Sequence, residues 1–262
     1  MRRPLLLFLP FAALMAAAGV VGATDGRRPL VVIDAGHGGR DNGAQPAGVP
    51  VPEKTITLAV ADALRDRLLR GGRVRVAMTR EDDRYVGLEE RVRIARRLGA
   101  SLFVAMHADS APNPEARGAT IYTLSEVASD REAARLAARE NGGRQVESAP
   151  GQSADANVRA ILADLAFRGT MEDSANFARL LRREAGGAGV PFRETSHRFA
   201  AFVVLKGADV PAVLLEAGYL TNKDDAAFLL SPEGRGRIAE GAARAIETHA
   251  ARQRFAGSGP GR

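Results

Sequence analysis

Four side chains, far apart in the chain, have the types and settings for joint chemistry: His37, Glu53, His107 and Glu216. His37 lies in Gly36-His37-Gly38-Gly39, directly after the apolar run Val31-Val32-Ile33. Glycines on both sides allow a ligand or another stretch of backbone to come close. Taken alone, that motif reads equally well as a tight turn containing a histidine. His107 ends a longer apolar run, residues 101–106, and Glu216 ends a third, residues 212–215. A carboxylate at the end of such a run is costly unless it is paired, binds a metal or takes up a proton. Two histidines and a glutamate are one of the ligand sets of catalytic zinc, with the fourth position left to water. The chain has no cysteine, so any transition metal must be held by nitrogen and oxygen donors of this kind. In that arrangement Glu216 is the base that takes the water's proton.

These residues need a scaffold that brings strand ends together. The apolar runs at 30–33, 74–78, 101–106, 118–124, 201–205 and 212–215 read as strands. Between them lie stretches of helical spacing, and the pattern predicts an α/β domain. It is a single domain with a mixed, mostly parallel sheet of about six strands and helices on both faces. In such sheets ligands bind beyond the carboxyl ends of the strands, where His37 and His107 both fall. Glu53 follows Pro52 and opens a helix running to Gly71-Gly72; there the helix dipole alone would also explain an acidic residue. Residues 125–168 break the pattern with a polar, glycine- and proline-interrupted segment, read as helices over 130–140 and 156–167 joined by a mobile link. A further helix is expected over 172–184 and a last one over 233–250.

At the N-terminus, Met1-Arg2-Arg3 followed by apolar residues to Val21-Gly22-Ala23 has the form of a signal peptide cleaved after residue 23. A retained membrane anchor is the competing reading. The domain then covers 24–252, and 253–262 is expected to be a disordered tail. The net charge of +6 favours an anionic partner, and export argues against nucleic acid.

The ordered set Asp34-Ala-Gly-His37-Gly-Gly, Glu53-Lys54, Thr79-Arg80, Leu102-Phe-Val-Ala-Met-His107-Ala, Phe202-Val-Val-Leu205, Val213-Leu-Leu-Glu216 and Leu220-Thr-Asn222 resembles the zinc-dependent N-acetylmuramoyl-L-alanine amidases of the amidase-3 type. The resemblance runs from about residue 30 to residue 250. It implies one zinc per chain on His37, Glu53 and His107, with Glu216 catalytic. The reaction it implies is cleavage between the lactyl group of N-acetylmuramic acid and the L-alanine of the peptidoglycan stem. The segment after 118–124 resembles that of Gram-negative cell-division amidases, in which a helix plugs the zinc site with a glutamate until a LytM-domain activator displaces it. By analogy Glu140 is the plug. The resemblance further implies a monomeric periplasmic enzyme of daughter-cell separation.

Asp34 is a candidate for orienting a ligand histidine, with a simple turn role as its alternative. Arg80 and Asn222 are candidate ligand-supporting or substrate residues, and Arg198 shares with Arg80 the option of binding a carboxylate. His197 is read as a loop residue and His249 as a residue near the end of the last helix. Two other readings remain open: a zinc carboxypeptidase or endopeptidase acting on wall peptides, and a catalytically inactive wall-binding regulator.

Overall fold

The computed structural model of the chain describes residues 28–142, 157–207 and 209–257. Its strands are β1 (Leu30–Ala35), β2 (Arg75–Met78), β3 (Leu102–Asp109), β4 (Ala119–Leu124), β5 (Phe192–Ala200) and β6 (Ala212–Tyr219). They form one sheet in the order β2-β1-β3-β6-β4-β5. Every neighbouring pair is parallel except β4 and β6. β1, β3 and β6 are buried along their whole length, as strands covered on both faces must be. That burial explains why they read as continuous apolar runs.

The helices are α1 (Glu53–Gly71), α2 (Leu88–Arg97), α3 (Arg131–Glu140), α4 (Asn157–Gly187), α5 (Lys223–Leu230) and α6 (Pro232–Gly257). One core packs α1, α4 and α6 against Val31, Ile33, Val104, Ile121 and Val213. A second packs α3 and a turn of 3-10 helix at Val203–Leu205 against Val32, Phe103, Ala105, Tyr122 and Leu214. Alternate residues of each strand thus serve opposite faces, and the single α/β domain expected from the sequence is present.

The local readings differ from the structure in four places. Residues 201–205 are not a strand, because the strand lies earlier, at β5. β5 is the edge of the sheet and half exposed, so its sequence is polar and the apolar Phe202, Val204 and Leu205 instead fill the second core from a turn. His197 therefore lies in a strand rather than a loop. The helices read over 156–167 and 172–184 are one continuous α4, which carries Gly169 in its interior and crosses the expected end of the insertion at 168. Residues 143–155 of the expected link, residue 156 of the helix read after it, the leader at 1–23 and residues 258–262 lie outside the described residues, while residues 253–257, read as tail, continue α6. His249 is accordingly inside that helix, edge-on to Phe177 at 5.3 Å. α5, unread in the sequence, begins where Asn222 accepts hydrogen bonds from the backbone of Asp224 (3.1 Å) and Asp225 (3.2 Å). Asn222 is thus a helix cap.

Below the loop after β1 lie two fully enclosed arginines. Arg80 donates to the carbonyls of Ala35 (2.9 Å), Gly36 (2.8 Å) and Lys54 (2.8 Å), with its own exposure at 0 %. Arg91 pairs with Asp34 (2.7 Å) and donates to Ala35 (2.7 Å) and His37 (2.6 Å) carbonyls. Burial pushes the pKa of Arg80 down and neighbouring Arg91 adds to this, while Asp34 opposes it. These side chains hold the backbone that carries His37, and neither is open to substrate. Arg80→Met would leave several buried carbonyls unpaired; it is expected to destabilise the fold by about 3 kcal/mol or more in denaturant unfolding.

Candidate active site

His37 stands two residues past the end of β1 and itself adopts a left-handed backbone, φ 60°. A non-glycine residue held this way costs on the order of 1–3 kcal/mol and persists only when its surroundings enforce it. The flanking glycines read as allowing close approach. Gly36 does so, since a Cβ there would lie 2.5 Å from the His107 ring. Asp41 Oδ2 is 3.0 Å from His37 Nδ1, so Asp41, not Asp34, orients this imidazole. Asp34 spends its carboxylate on Thr79 Oγ1 (2.5 Å) and Arg91. The signal for Asp41 was available, four residues on in Gly38-Gly39-Arg40-Asp41, but only the closing of that turn brings it to the ring.

Glu53, the first residue of α1, is 1 % exposed. Its two oxygens accept from the backbone N–H of Ala44 (2.8 Å) and Ala108 (3.0 Å), which fixes the carboxylate to the loop and to β3. Oε1 lies 3.0 Å from His37 Nε2 and 3.2 Å from His107 Nδ1. His107 sits within β3 rather than beyond it, and the imidazoles meet edge to face at 4.9 Å. Glu140, the last residue of α3, brings Oε2 to 3.4 Å from His37 Nε2 and 3.3 Å from His107 Nδ1. His37, His107 and Glu140 each offer one ligand atom, all within 4.8 Å of one another, a group able to hold a metal ion.

The donor set fits a small tetrahedral ion. Bonds of about 2.0–2.1 Å place neighbouring donors about 3.3 Å apart, and the four separations just given fall on either side of that value. His37 Nε2 is buried and makes no hydrogen bond despite its closeness to two carboxylates. Lone pairs aimed at a common point produce this arrangement. Burial disfavours the charged form of His37, but Glu53, Asp41 and Glu140 outweigh it and raise its pKa to about 10; the same negative charge attracts a divalent cation. Burial of Glu53 works against its ionisation, yet the two imidazoles pull its pKa well below the ordinary carboxylate range.

Glu216 lies opposite His107 in the register of β3 and β6, so both side chains stand on the same face, one strand spacing apart. It is 1 % exposed and both carboxylate oxygens lack hydrogen-bond partners. Burial first, then Asp109, Glu53 and Glu140, push its pKa well above the ordinary range. The set of His37, Glu53, His107 and Glu216 is therefore assembled at one rim of the sheet.

The helix that delivers Glu140 seats Ala133, Leu136 and Ala137 in the second core and is tied at both ends by polar contacts. At its start Glu132 accepts from Arg193 (2.6 Å), Arg198 (2.9 Å) and the Tyr219 hydroxyl (3.0 Å). At its end Arg139 pairs with Asp109 (2.6 Å), and Asn141 bonds Ala201 and Val203 backbone. Arg198 is thus engaged and not free for a substrate carboxylate.

Residues 31–248 match the amidase-3 family, whose description is N-acetylmuramoyl-L-alanine amidase. The chain belongs to this family. It is 34% identical to the N-acetylmuramoyl-L-alanine amidase AmiA of Escherichia coli K12, over 84% of this chain and 76% of that protein. Its fold superposes on the catalytic domain of CwlV, an amidase from Bacillus (Paenibacillus) polymyxa var. colistinus, with a TM-score of 0.63 at 27% identity, covering 84% of this chain and 97% of that one. The amidase AmiC2 of Nostoc punctiforme gives 0.62 at 27% identity, covering 84% and 96%. The chain is therefore an N-acetylmuramoyl-L-alanine amidase acting on peptidoglycan in cell-wall processing. Among its described residues no helix is long and apolar enough to cross a membrane.

The anchor of α3 has a pH signature. Burial tends to raise the pKa of Glu132, but Arg193, Arg198 and Tyr219 bring it down to about 2, from 4.5. A lowered folded-state pKa stabilises the fold above the unfolded value, and that stability is lost as pH falls from 4.5 towards 2. Glu132→Gln should lower the melting temperature at pH 7, and the difference from the parent should vanish as the pH approaches 2.

Proposed function

We propose that this amidase is a zinc enzyme that hydrolyses the bond between the lactyl group of N-acetylmuramic acid and the L-alanine of the stem peptide, and that Glu140 holds it closed. The observation that carries the reading is the convergence of His37 Nε2, His107 Nδ1 and the Glu53 carboxylate at tetrahedral donor spacing beside the partnerless Glu216. Zinc bound there would polarise the amide carbonyl and make water nucleophilic near neutral pH. The chain's own residues do the remaining work. Asp41 accepts the Nδ1 proton of His37 and so leaves Nε2 free as a donor. Glu216 takes the proton of the attacking water and returns it to the alanine nitrogen, which must be protonated to leave. Its apolar setting favours holding that proton between the two events.

Glu140 differs from Glu53 in how it is held. Glu53 is pinned by two backbone N–H groups on the core scaffold. Glu140 accepts no backbone N–H among the described residues, and it ends a short helix that buries Ala133, Leu136 and Ala137 and is tied at its ends by ion pairs. A fourth donor in this place excludes both water and substrate, so withdrawal of α3 opens the site. The resemblance to Gram-negative division amidases supports a LytM-domain protein as the agent of withdrawal, and daughter-cell separation as the process. It also supports a monomeric enzyme with one zinc, working in the periplasm after removal of residues 1–23.

A carboxypeptidase would need a cation for a free peptide carboxylate. Arg80 and Arg198, the residues considered for that task, are buried and committed elsewhere, so neither supplies it, and the new ends formed in digestion decide between the two reactions. Digestion of purified sacculi should expose new L-alanine amino ends, with no new D-amino-acid carboxylates. Chelation should abolish the reaction, and Glu216→Gln should lower it at least about a hundredfold while metal content is unchanged; full activity of that variant would refute the assigned base. Glu140→Ala should raise basal hydrolysis without activator by about tenfold or more. An unchanged rate in the folded variant would remove the plug.

A further inference from the structure

We infer that Arg40, held against Tyr85, is a specificity-determining residue that reads a carboxylate on the peptide side of the scissile bond. This deepens the function just proposed and rests on it. Two clefts of about 430 and 510 Å³ open on His37, and both are lined by Arg40, Asp41, Tyr85, Glu140 and Gly142. Arg40 sits at the tip of a two-residue turn closed by paired backbone hydrogen bonds between Gly38 and Asp41 (2.9 and 3.1 Å). The turn is not loose. Gly39 N–H donates to Asp83 (2.8 Å), and Lys54 Nζ bridges the Gly39 carbonyl (2.7 Å) and Asp83 (2.9 Å). The same short turn carries His37 at one end and Asp41 at the other, so the position of Arg40 relative to the metal ligands is fixed.

The guanidinium lies over the Tyr85 ring, 4.3 Å from its centroid. A guanidinium held against a ring in this way keeps N–H donors for a carboxylate, which arginine can take through two parallel hydrogen bonds. Among the described residues it forms no ion pair. The other cations of these clefts are committed, Arg91 to Asp34 and Arg139 to Asp109. Arg40 is exposed, and Tyr85 is 46 % exposed, so neither is present for core packing.

The chemistry of the substrate says what such a cation meets. The sugars offer hydroxyl and acetamido groups, and the lactyl carboxyl is consumed in the bond to be cut. A negative charge near the site therefore belongs to the peptide: the free carboxylate of an acidic residue following the L-alanine, or the carboxylate at the peptide's end. An arginine three residues from a metal ligand in sequence is suited to the first residues of the departing peptide.

The test uses the full chain carrying Glu140→Ala, with soluble muramoyl peptides as substrates. One pair differs only in carboxylate against carboxamide on the acidic residue after L-alanine, a second only in carboxylate against amide at the peptide's end. Arg40→Gln should raise KM about tenfold for the carboxylate form of one pair, leave kcat within twofold, and erase the preference within that pair. Arg40→Lys should keep part of the preference, and Tyr85→Leu should weaken it. The pair that responds identifies which carboxylate is read. Equal changes on both members of both pairs, with L-alanine still released, would overturn the inference and leave the hydrolase intact. Failure to release L-alanine peptides from any substrate would overturn the function together with it.

Discussion

The site depends on holding a strained, charged loop against a close-packed sheet end. His37 must keep a left-handed backbone while its ring faces two carboxylates, and nothing in its own conformational preferences favours that. The restraint comes from beneath, where Arg80 and Arg91 gather the carbonyls of Ala35, Gly36 and His37. Buried guanidinium groups are costly to desolvate; here each is surrounded by acceptors, so the cost is offset and the loop is held rigidly. Rigidity matters because donor groups around a small ion tolerate little displacement.

Carboxylates are concentrated at this rim beyond what burial alone would tolerate. Asp109, Glu53 and Glu140 all lie close enough to Glu216 to disfavour its ionisation. Against its burial, the two imidazoles hold Glu53 below the ordinary range. Burial raises Asp109 in spite of Arg139, and burial followed by Asp109, Glu53 and Glu140 raises Glu216 further. The environment thus separates groups of the same type: Glu53 is held low, while Asp109 and Glu216 are pushed up. α3 supplies both the Arg139 that pairs with Asp109 and the Glu140 that reaches the two imidazoles.

Much of this was legible in the residues. The apolar runs that became β1, β3 and β6 are buried on both faces, so burial writes itself into their composition, and His37, His107 and Glu216, which follow or end them, stand at one rim of the sheet. Glu53 was read from its place at a helix start. The edge strand β5 was misplaced because half-exposed strands need not be apolar, and the neighbouring apolar residues serve the core from a turn. The break expected between 167 and 172 does not occur: α4 runs through Gly169, a single glycine lowering helix preference without ending it.

By itself the sequence determined the fold class, the rim at which the chemistry sits, and the identities of the residues assembled there, because hydrophobic periodicity and motif order are properties of composition along the chain. Only the tertiary structure decided that Asp41 rather than Asp34 orients His37, that Arg80 and Asn222 are structural, that Arg40 is left without a carboxylate partner among the described residues, and that Glu140 reaches both imidazoles. Those facts turn on which side chain wins a given partner across tens of residues of separation. That competition is settled by distance and burial in three dimensions, which no local pattern encodes.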